Sequence, residues 1–63
     1  MATVEEVREN QEAWQDKEVV ITVKTGDKYE GKLNPSMGGF YLGNRYLDEI
    51  EIVNIALKGK RTG

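Results

Sequence analysis

The sequence predicts a mainly β domain, in which an N-terminal α-helix precedes a five-stranded, strongly bent antiparallel barrel. Three observations lead to this fold class: a helical pattern over residues 4–13, strand patterns separated by turn residues over 18–57, and a chain of only 63 residues. A chain of this length has room for one core, and closure into a barrel removes exposed sheet edges. We therefore expect one domain over residues 1–57, and a basic flexible tail over residues 58–63.

The helix is predicted from a capping box followed by a narrow apolar stripe. Thr3 precedes Glu6 by three residues, the spacing at which a hydroxyl and a carboxylate cap each other's backbone amides. The stripe at helical spacing consists of Val4, Val7, Gln11 and Trp14. Because this stripe is thin, the helix must lie on the barrel, and we expect Trp14 to anchor it there.

The strands are predicted from β-branched and aromatic residues between turn residues. They cover residues 19–24, 28–33, 40–42, 45–47 and 50–57. Gly26-Asp27 predicts the first turn, and Gly43-Asn44 suits a two-residue type II′ hairpin with glycine first. Pro35 is expected to end the second strand, because proline has no amide to donate to a ladder.

The composition argues against catalysis and bound metals. The chain contains no cysteine and no histidine, so it can form no disulfide and lacks the usual soft metal ligands. No serine–base spacing or glycine-rich phosphate loop before a helix is present. We therefore expect a protein that is not an enzyme and that uses no cofactor. The acidic start and the short apolar runs predict a cytoplasmic protein that does not contact membranes.

The small size of the chain and its uneven charge distribution indicate which kinds of partner to expect. A domain this short is usually stabilised by disulfides, a metal or partner subunits, and for this chain we expect partner subunits. The net charge is −2, but the start is acidic whereas the tail carries Lys58, Lys60 and Arg61. This distribution predicts either a local contact with a polyanion or two simply solvated ends.

Residues 23–33 resemble the first Sm motif. Gly26 and Gly31 occupy its glycine positions, where they allow a turn and a sharp strand bend. The segment 14–19 resembles the helix-to-strand entry of Sm and Hfq proteins, and residues 46–50 lie where Hfq-like chains end their second Sm motif. The resemblance covers about residues 4–57.

This resemblance implies an Sm-like (SH3-like) barrel, a homo-oligomeric ring of about five to seven subunits, and RNA as ligand. In Sm-like proteins the fourth strand of one subunit pairs with the fifth strand of the next. Candidate interface residues are Tyr46, Ile50, Ile52, Val53 and Ile55. The family's Asp-x-x-Met-Asn element is missing from residues 34–41, and Leu47-Asp48 replaces the Lys-His pair of Hfq.

RNA contacts are expected from exposed aromatic and basic residues. Phe40 and Tyr41 are adjacent in a strand, so only one can be core, and the other could stack on a base near Arg45. The alternative is that Phe40 fills the barrel and Tyr41 covers an interface or lies on the surface. The RNA-binding candidates are Asn34, Phe40, Tyr41, Arg45, Lys58, Lys60 and Arg61.

Two other functions fit the same residues. The chain could be a protein-binding Sm- or SH3-like module, such as a phage or bacterial regulator, with its acidic helix and acidic turn as the contact surface. It could also be a designed barrel without a natural function. A homo-oligomeric Sm-like protein that binds single-stranded RNA is the first hypothesis.

Overall fold

A computed structural model describes residues 2–58, and the predictions for Lys60 and Arg61 lie outside this range. The elements are helices α1 and α2, strands β1–β5, and a 3₁₀ turn between the last two strands. In chain order they are α1 (Val4–Glu9), α2 (Gln11–Trp14), β1 (Glu18–Val23), β2 (Lys28–Ser36), β3 (Gly39–Leu42), β4 (Arg45–Asp48), the 3₁₀ turn (Glu49–Glu51) and β5 (Ile52–Leu57).

The predicted capping box is confirmed, but the single predicted helix is wrong. The Glu6 amide donates to Thr3 Oγ1 at 3.2 Å, and the Thr3 amide donates to Glu6 Oε1 at 2.9 Å. The helix breaks at Asn10, whose φ of −126° and ψ of 41° are not helical. Asn10 Nδ2 donates to the Glu6 carbonyl at 3.0 Å, and such side-chain bonds compete with the helical backbone.

The five strands form one antiparallel sheet in the order β4-β3-β2-β1-β5. The mainly β, five-stranded antiparallel prediction is therefore confirmed. Within residues 2–58 the sheet is open, because β4 and β5 lie at opposite edges and do not pair with each other. An isolated bridge joins Ala2 to Ile55 on the outer side of β5.

Strand β2 belongs to both halves of the sheet. Residues 28–32 pair with β1, and residues 33–36 pair with β3. Gly31 lies at the transition, where an added Cβ would stand 3.4 Å from the Cβ of Leu42. Gly26 lies in the turn between β1 and β2, as predicted, with a φ of 95°.

The prediction that Pro35 ends the second strand is wrong, since β2 continues to Ser36. Leu33 donates to the Lys17 carbonyl and accepts from the Asp16 amide, so its backbone polar groups point away from β3. Pro35 lies two residues further and therefore faces the same way. Its missing amide is not needed for the ladder with β3, and an edge position of this kind tolerates proline.

The fifth strand is shorter than predicted, because residues 49–51 form the 3₁₀ turn. Asp48 Oδ1 accepts from the Ile50 amide at 3.1 Å and caps this turn. The Glu49 amide donates to the Gly38 carbonyl at 3.0 Å, which ties the turn to the β2–β3 loop. Ile50 therefore lies outside β5.

The core lies between the two halves of the sheet and α1. Its buried apolar residues are Ala2, Val7, Val19, Ile21, Val23, Leu33, Phe40, Leu42, Leu47, Ile52 and Ile55. Trp14 is half-buried and packs against this cluster, in agreement with its predicted anchoring role. None of the helices in residues 2–58 has the length and apolar character needed to cross a membrane.

Candidate binding surface and edge strands

Three polar and aromatic residues form a row across the outer face of β2, β3 and β4. Asn34 is the cross-strand partner of Tyr41, and Tyr41 is the partner of Tyr46. The two aromatic rings meet edge to face, with centroids 5.1 Å apart and an interplanar angle of 60°. Tyr41 is 40% exposed and Tyr46 is 44% exposed. We call this row, Asn34–Tyr41–Tyr46, the tyrosine face.

The sequence places these rings outside for a local reason. Side chains alternate along β3, and Phe40 and Leu42 are buried, so Tyr41 between them points outward. The two-residue turn at Gly43-Asn44 fixes the register that sets Tyr41 against Tyr46. Gly43 has a φ of 64°, which fits the predicted turn with glycine first.

Gly39 makes room for the ring of Tyr46. A Cβ at position 39 would stand 2.6 Å from Tyr46 Oη and 2.7 Å from Tyr46 Cζ, so only glycine allows this close approach. Tyr46 Oη also donates to the Met37 carbonyl at 3.2 Å. The ring is thus held against β3 and the β2–β3 loop.

Of the adjacent pair Phe40 and Tyr41, Phe40 is the core residue, so its ring is not exposed for the RNA contact that was one of its two expected roles. Phe40 is 0% exposed and forms part of the core. The Arg8 guanidinium carbon lies 4.5 Å from the centroid of its aromatic ring and covers it. Arg8 Nη2 also donates to the Gly39 carbonyl at 3.1 Å and to Glu49 Oε1 at 2.9 Å. A base could reach Phe40 only after these bonds break.

The expected combination of Tyr41 with Arg45 does not form. Arg45 is the cross-strand partner of Leu42, so it starts on the face opposite to Tyr41. Its guanidinium carbon lies 4.8 Å from the ring centroid of Tyr29. The aromatic neighbour of Tyr41 is Tyr46 instead.

Lys58, another candidate for RNA contact, is engaged by a carboxylate. Its Nζ lies 2.9 Å from Glu30 Oε1. The hydrogen bond to Glu30, and then the charge of that carboxylate, raise the pKa of Lys58 above its ordinary value. A phosphate would have to compete with Glu30 for this ammonium group.

The interface candidates divide into exposed and buried residues. Tyr46, Ile50 and Val53 are exposed, whereas Ile52 and Ile55 are buried in the chain's own core. The side chains of Ile52 and Ile55 are therefore not available to a partner, so a contact at these two predicted interface positions would involve their backbone groups. Leu57 is 59% exposed at the end of β5, although it was not predicted as an interface residue.

The backbone of β5 directs its outer polar groups along the edge of the sheet. The Lys58 amide donates to Glu18 on β1, so by strand alternation the amides of Leu57 and Ile55 point outward. Ala2 uses the position at Ile55: the Ala2 amide donates to the Ile55 carbonyl at 2.7 Å, and the Ile55 amide donates to the Ala2 carbonyl at 2.8 Å.

The backbone of β4 has outward polar groups as well. Leu42 and Arg45 flank a two-residue turn, where such partners exchange both of their hydrogen bonds. By alternation Tyr46 and Asp48 direct their amides and carbonyls away from β3. The two edges of the sheet thus present matching rows of donors and acceptors.

The charge of the described part of the chain is negative. Residues 2–58 contain seven basic and eleven acidic residues, a net charge of −4. Asp48, Glu49 and Glu51 lie together around the 3₁₀ turn. No group of three or more acidic residues among residues 2–58 is arranged to hold a metal ion.

Sequence reasoning missed three of the residues that shape this surface: Arg8, Gly39 and Leu57. Arg8 was recognisable only as the one basic residue of an acidic helix. Leu57 had the signal of an apolar residue at the end of a strand before a charged tail. Nothing in the sequence indicated which glycine would lie beneath an aromatic ring.

The chain matches no protein-family model, no curated protein and no solved structure. The fold and the surface define it as a small mainly β domain with an open five-stranded sheet. Within residues 2–58, the two edge strands and the tyrosine face are the candidate binding surfaces.

Proposed function

We propose that this chain is a non-catalytic, Sm-like protein that assembles into a homo-oligomeric ring. In this assembly β4 of one copy pairs with β5 of the next. The observation that carries the proposal is the strand order, because it puts β4 and β5 at opposite edges of the sheet with outward backbone groups on both. Head-to-tail contacts of this kind generate closed rings when the rotation closes.

The side chains at the two edges support this pairing. Partners that exchange both hydrogen bonds in an antiparallel ladder place their side chains on the same face. Tyr46 on one copy and Leu57 on the next are both exposed and both lie at outward-bonding positions. Setting them opposite each other would bury two apolar side chains that one copy leaves in water.

The finer fold in this proposal is an Sm-like (SH3-like) barrel. Strand β2 is shared by both halves of the sheet, and the change of partner occurs at Gly31. The buried residues of the two halves form a single cluster with α1. Both features are typical of a strongly bent small sheet whose inner face is the core.

The assembly is tested by measuring mass with light scattering on a sizing column, over a range of concentrations. The proposal expects a stable species of about five to seven copies, the ring size that the family resemblance suggests. Met37→Lys is a suitable control, because Met37 is exposed and apolar but lies outside β4 and β5, and its bond to Tyr46 uses the backbone carbonyl, which the substitution keeps. A single-chain mass at every concentration would refute the assembly.

Single-stranded RNA is the proposed ligand of the assembled protein, and Tyr41 of the tyrosine face supports it, since the Tyr46 ring is used in the contact with Leu57. Exposed aromatic rings stack on bases at about 1–3 kcal/mol per base, and the Asn34 side chain on the same face can bond to a base edge. The net charge of −4 over residues 2–58 means that stacking must supply much of the affinity.

Short oligo-U and oligo-A titrated at several salt concentrations test this ligand. Binding should be detectable at low salt and should weaken as salt rises, because phosphate contacts release counterions. If no binding is detected at low salt while the assembly is intact, RNA is refuted as the ligand. A protein partner would then be sought.

A further inference from the structure

The outer edge of β5 is a strand-addition site that this chain partly closes by itself. We propose that Ala2 occupies the position that β4 of a second copy takes on assembly, so that Ala2 acts as a removable plug. The inference rests on the proposed function, since it concerns the same β4–β5 contact. It adds a step that the proposed function does not contain: Ala2 must leave before the contact is complete.

The plug is visible in two backbone hydrogen bonds. Ala2 exchanges bonds of 2.7 Å and 2.8 Å with Ile55, in the antiparallel sense. Both groups of Ile55 that point outward are therefore used within the chain. The Ala2 side chain is buried as well, so this contact also covers part of the core. Among residues 2–58, the bridge involves Ala2 alone and leaves the outward groups of Leu57 without a partner.

The spacing of the outward backbone groups on β4 and β5 makes Ala2 and the β4 strand of a second copy compete for the same position on β5. Strand β4 presents outward groups on Tyr46 and Asp48, two residues apart. The regular part of β5 presents them on Ile55 and Leu57, also two residues apart, because the ladder with β1 is irregular near Val23. An antiparallel β4 that uses all of these groups sets Asp48 against Ile55, where Ala2 now lies.

A second copy is the occupant that fits this edge. A groove of about 490 Å³ runs beside the end of β5, and it is lined by Ala2, Glu6, Asn10, Trp14, Ala56 and Leu57. The incoming β4 would bring Tyr46 to Leu57, at the apolar side of this groove. Tyr46 is 44% exposed, and its strand β4 has no partner strand on its outer side within residues 2–58.

The first test compares Ala2→Pro with Ala2→Gly in the full chain. Proline removes the amide that donates to Ile55, whereas glycine removes only the methyl group and keeps both backbone bonds. Light scattering over a dilution series should show Ala2→Pro assembling at a concentration about fivefold lower than Ala2→Gly, as expected for the loss of one competing hydrogen bond. Equal midpoints for the two variants, or a higher midpoint for Ala2→Pro, would overturn the plug.

A second test needs no substitution, so it is independent of any effect on folding. Amide hydrogen exchange of the unmodified protein is measured by NMR below and above its assembly concentration. The Ala2 amide should exchange faster after assembly, while the Ile55 amide stays protected because β4 of the next copy replaces Ala2. Unchanged protection of Ala2 in the assembled protein would overturn the plug.

The tests also separate this inference from the proposed function. If the unmodified protein assembles but Ala2 behaves the same before and after, the ring stands and only the plug is refuted. If neither the unmodified protein nor Ala2→Pro associates at any concentration, the β4–β5 contact itself is refuted, and the plug with it.

Discussion

The guanidinium group of Arg8 lies over the aromatic ring of Phe40, with its central carbon 4.5 Å from the ring centroid. The same group bonds to Glu49 on the 3₁₀ turn and to the Gly39 carbonyl on β3. One side chain of α1 thus contacts both β3 and the 3₁₀ turn, and it closes access to Phe40. This contact leaves Tyr41 as the aromatic residue of the Phe40-Tyr41 pair that can meet a ligand.

Arg8→Met should lower the free energy of unfolding by about 1–2 kcal/mol. The substitution removes the cation–π contact with Phe40. It also leaves the partly exposed Glu49 carboxylate and the Gly39 carbonyl without their hydrogen-bond donor. Arg8→Lys should recover only part of this loss, since an ammonium group cannot stack and bond in a planar fork. Urea denaturation measures both variants. Arg45→Met is the control, because Arg45 also covers an aromatic ring but makes no ion pair among the described residues. An Arg8→Met loss no larger than that of the control would contradict this account.

Gly39→Ala should destabilise the domain by about 1–3 kcal/mol, as overpacking does in close contacts. Its Cβ would overlap the ring of Tyr46 and the backbone of Leu47. In a Tyr46→Ala background the same substitution should cost less, because one of the two overlaps is gone. Thermal or urea unfolding of the four proteins gives the coupling free energy. A coupling near zero would show that the ring does not lie against Gly39.

Tyr41→Ala should weaken oligo-U binding by about tenfold, which corresponds to the loss of one stacked base. Tyr41→Phe should bind nearly as well as the unmodified protein, since stacking needs the ring and not the hydroxyl. Fluorescence anisotropy measures the affinities, and circular dichroism checks that both variants remain folded. The partly exposed position of Tyr41 predicts that they do. Equal affinities for Tyr41→Ala and Tyr41→Phe would exclude stacking at this position.

Lys58 should titrate above its ordinary pKa, and Glu30→Gln should bring its pKa back toward that value. The cause is the hydrogen bond to Glu30 and the charge of Glu30. Because the folded-state pKa is raised, the stabilising effect of the pair is complete below the unfolded-state pKa of about 10.4 and is lost as pH rises through the folded-state pKa. NMR titration of the Lys58 side chain measures the shift. The same titration curve in both proteins would show that the pair does not form in solution.

Much of the fold followed from local patterns. The capping box at Thr3 and Glu6, the turn at Gly26 and the hairpin at Gly43-Asn44 each depend on residues close in sequence, and all three were predicted. The break at Asn10 and the passage of β2 through Pro35 were not. The break at Asn10 depends on a side-chain bond to the Glu6 carbonyl that competes with the helical backbone. The passage through Pro35 depends on which side of β2 pairs with β3, and that is settled only when the sheet forms.

The binding surface was less predictable for the same reason. Alternation along β3 indicated that one of Phe40 and Tyr41 is core, but not which one. That choice depends on the packing of β3, which buries Phe40 together with Leu42, and on α1, which brings Arg8 over the Phe40 ring from 32 positions earlier in the chain. Burial of Ile52 and Ile55 likewise follows from the pairing of β5 with β1.

The central claim is that β4 of one copy pairs with β5 of the next, and two variants can block these edges separately. Asp48→Pro removes an outward amide of β4 at a residue whose φ of −69° already suits proline. Leu57→Pro removes an outward amide of β5. Each blocked variant keeps one intact edge, so neither can form a ring alone, but a mixture retains one complete β4–β5 contact.

The mass of this equimolar mixture, measured by light scattering, is therefore the most direct test. The account predicts that each variant alone has a single-chain mass and that the mixture forms a pair of one copy of each. Single-chain mass in the mixture, with the unmodified protein assembling under the same conditions, would contradict β4–β5 pairing as the basis of the assembly.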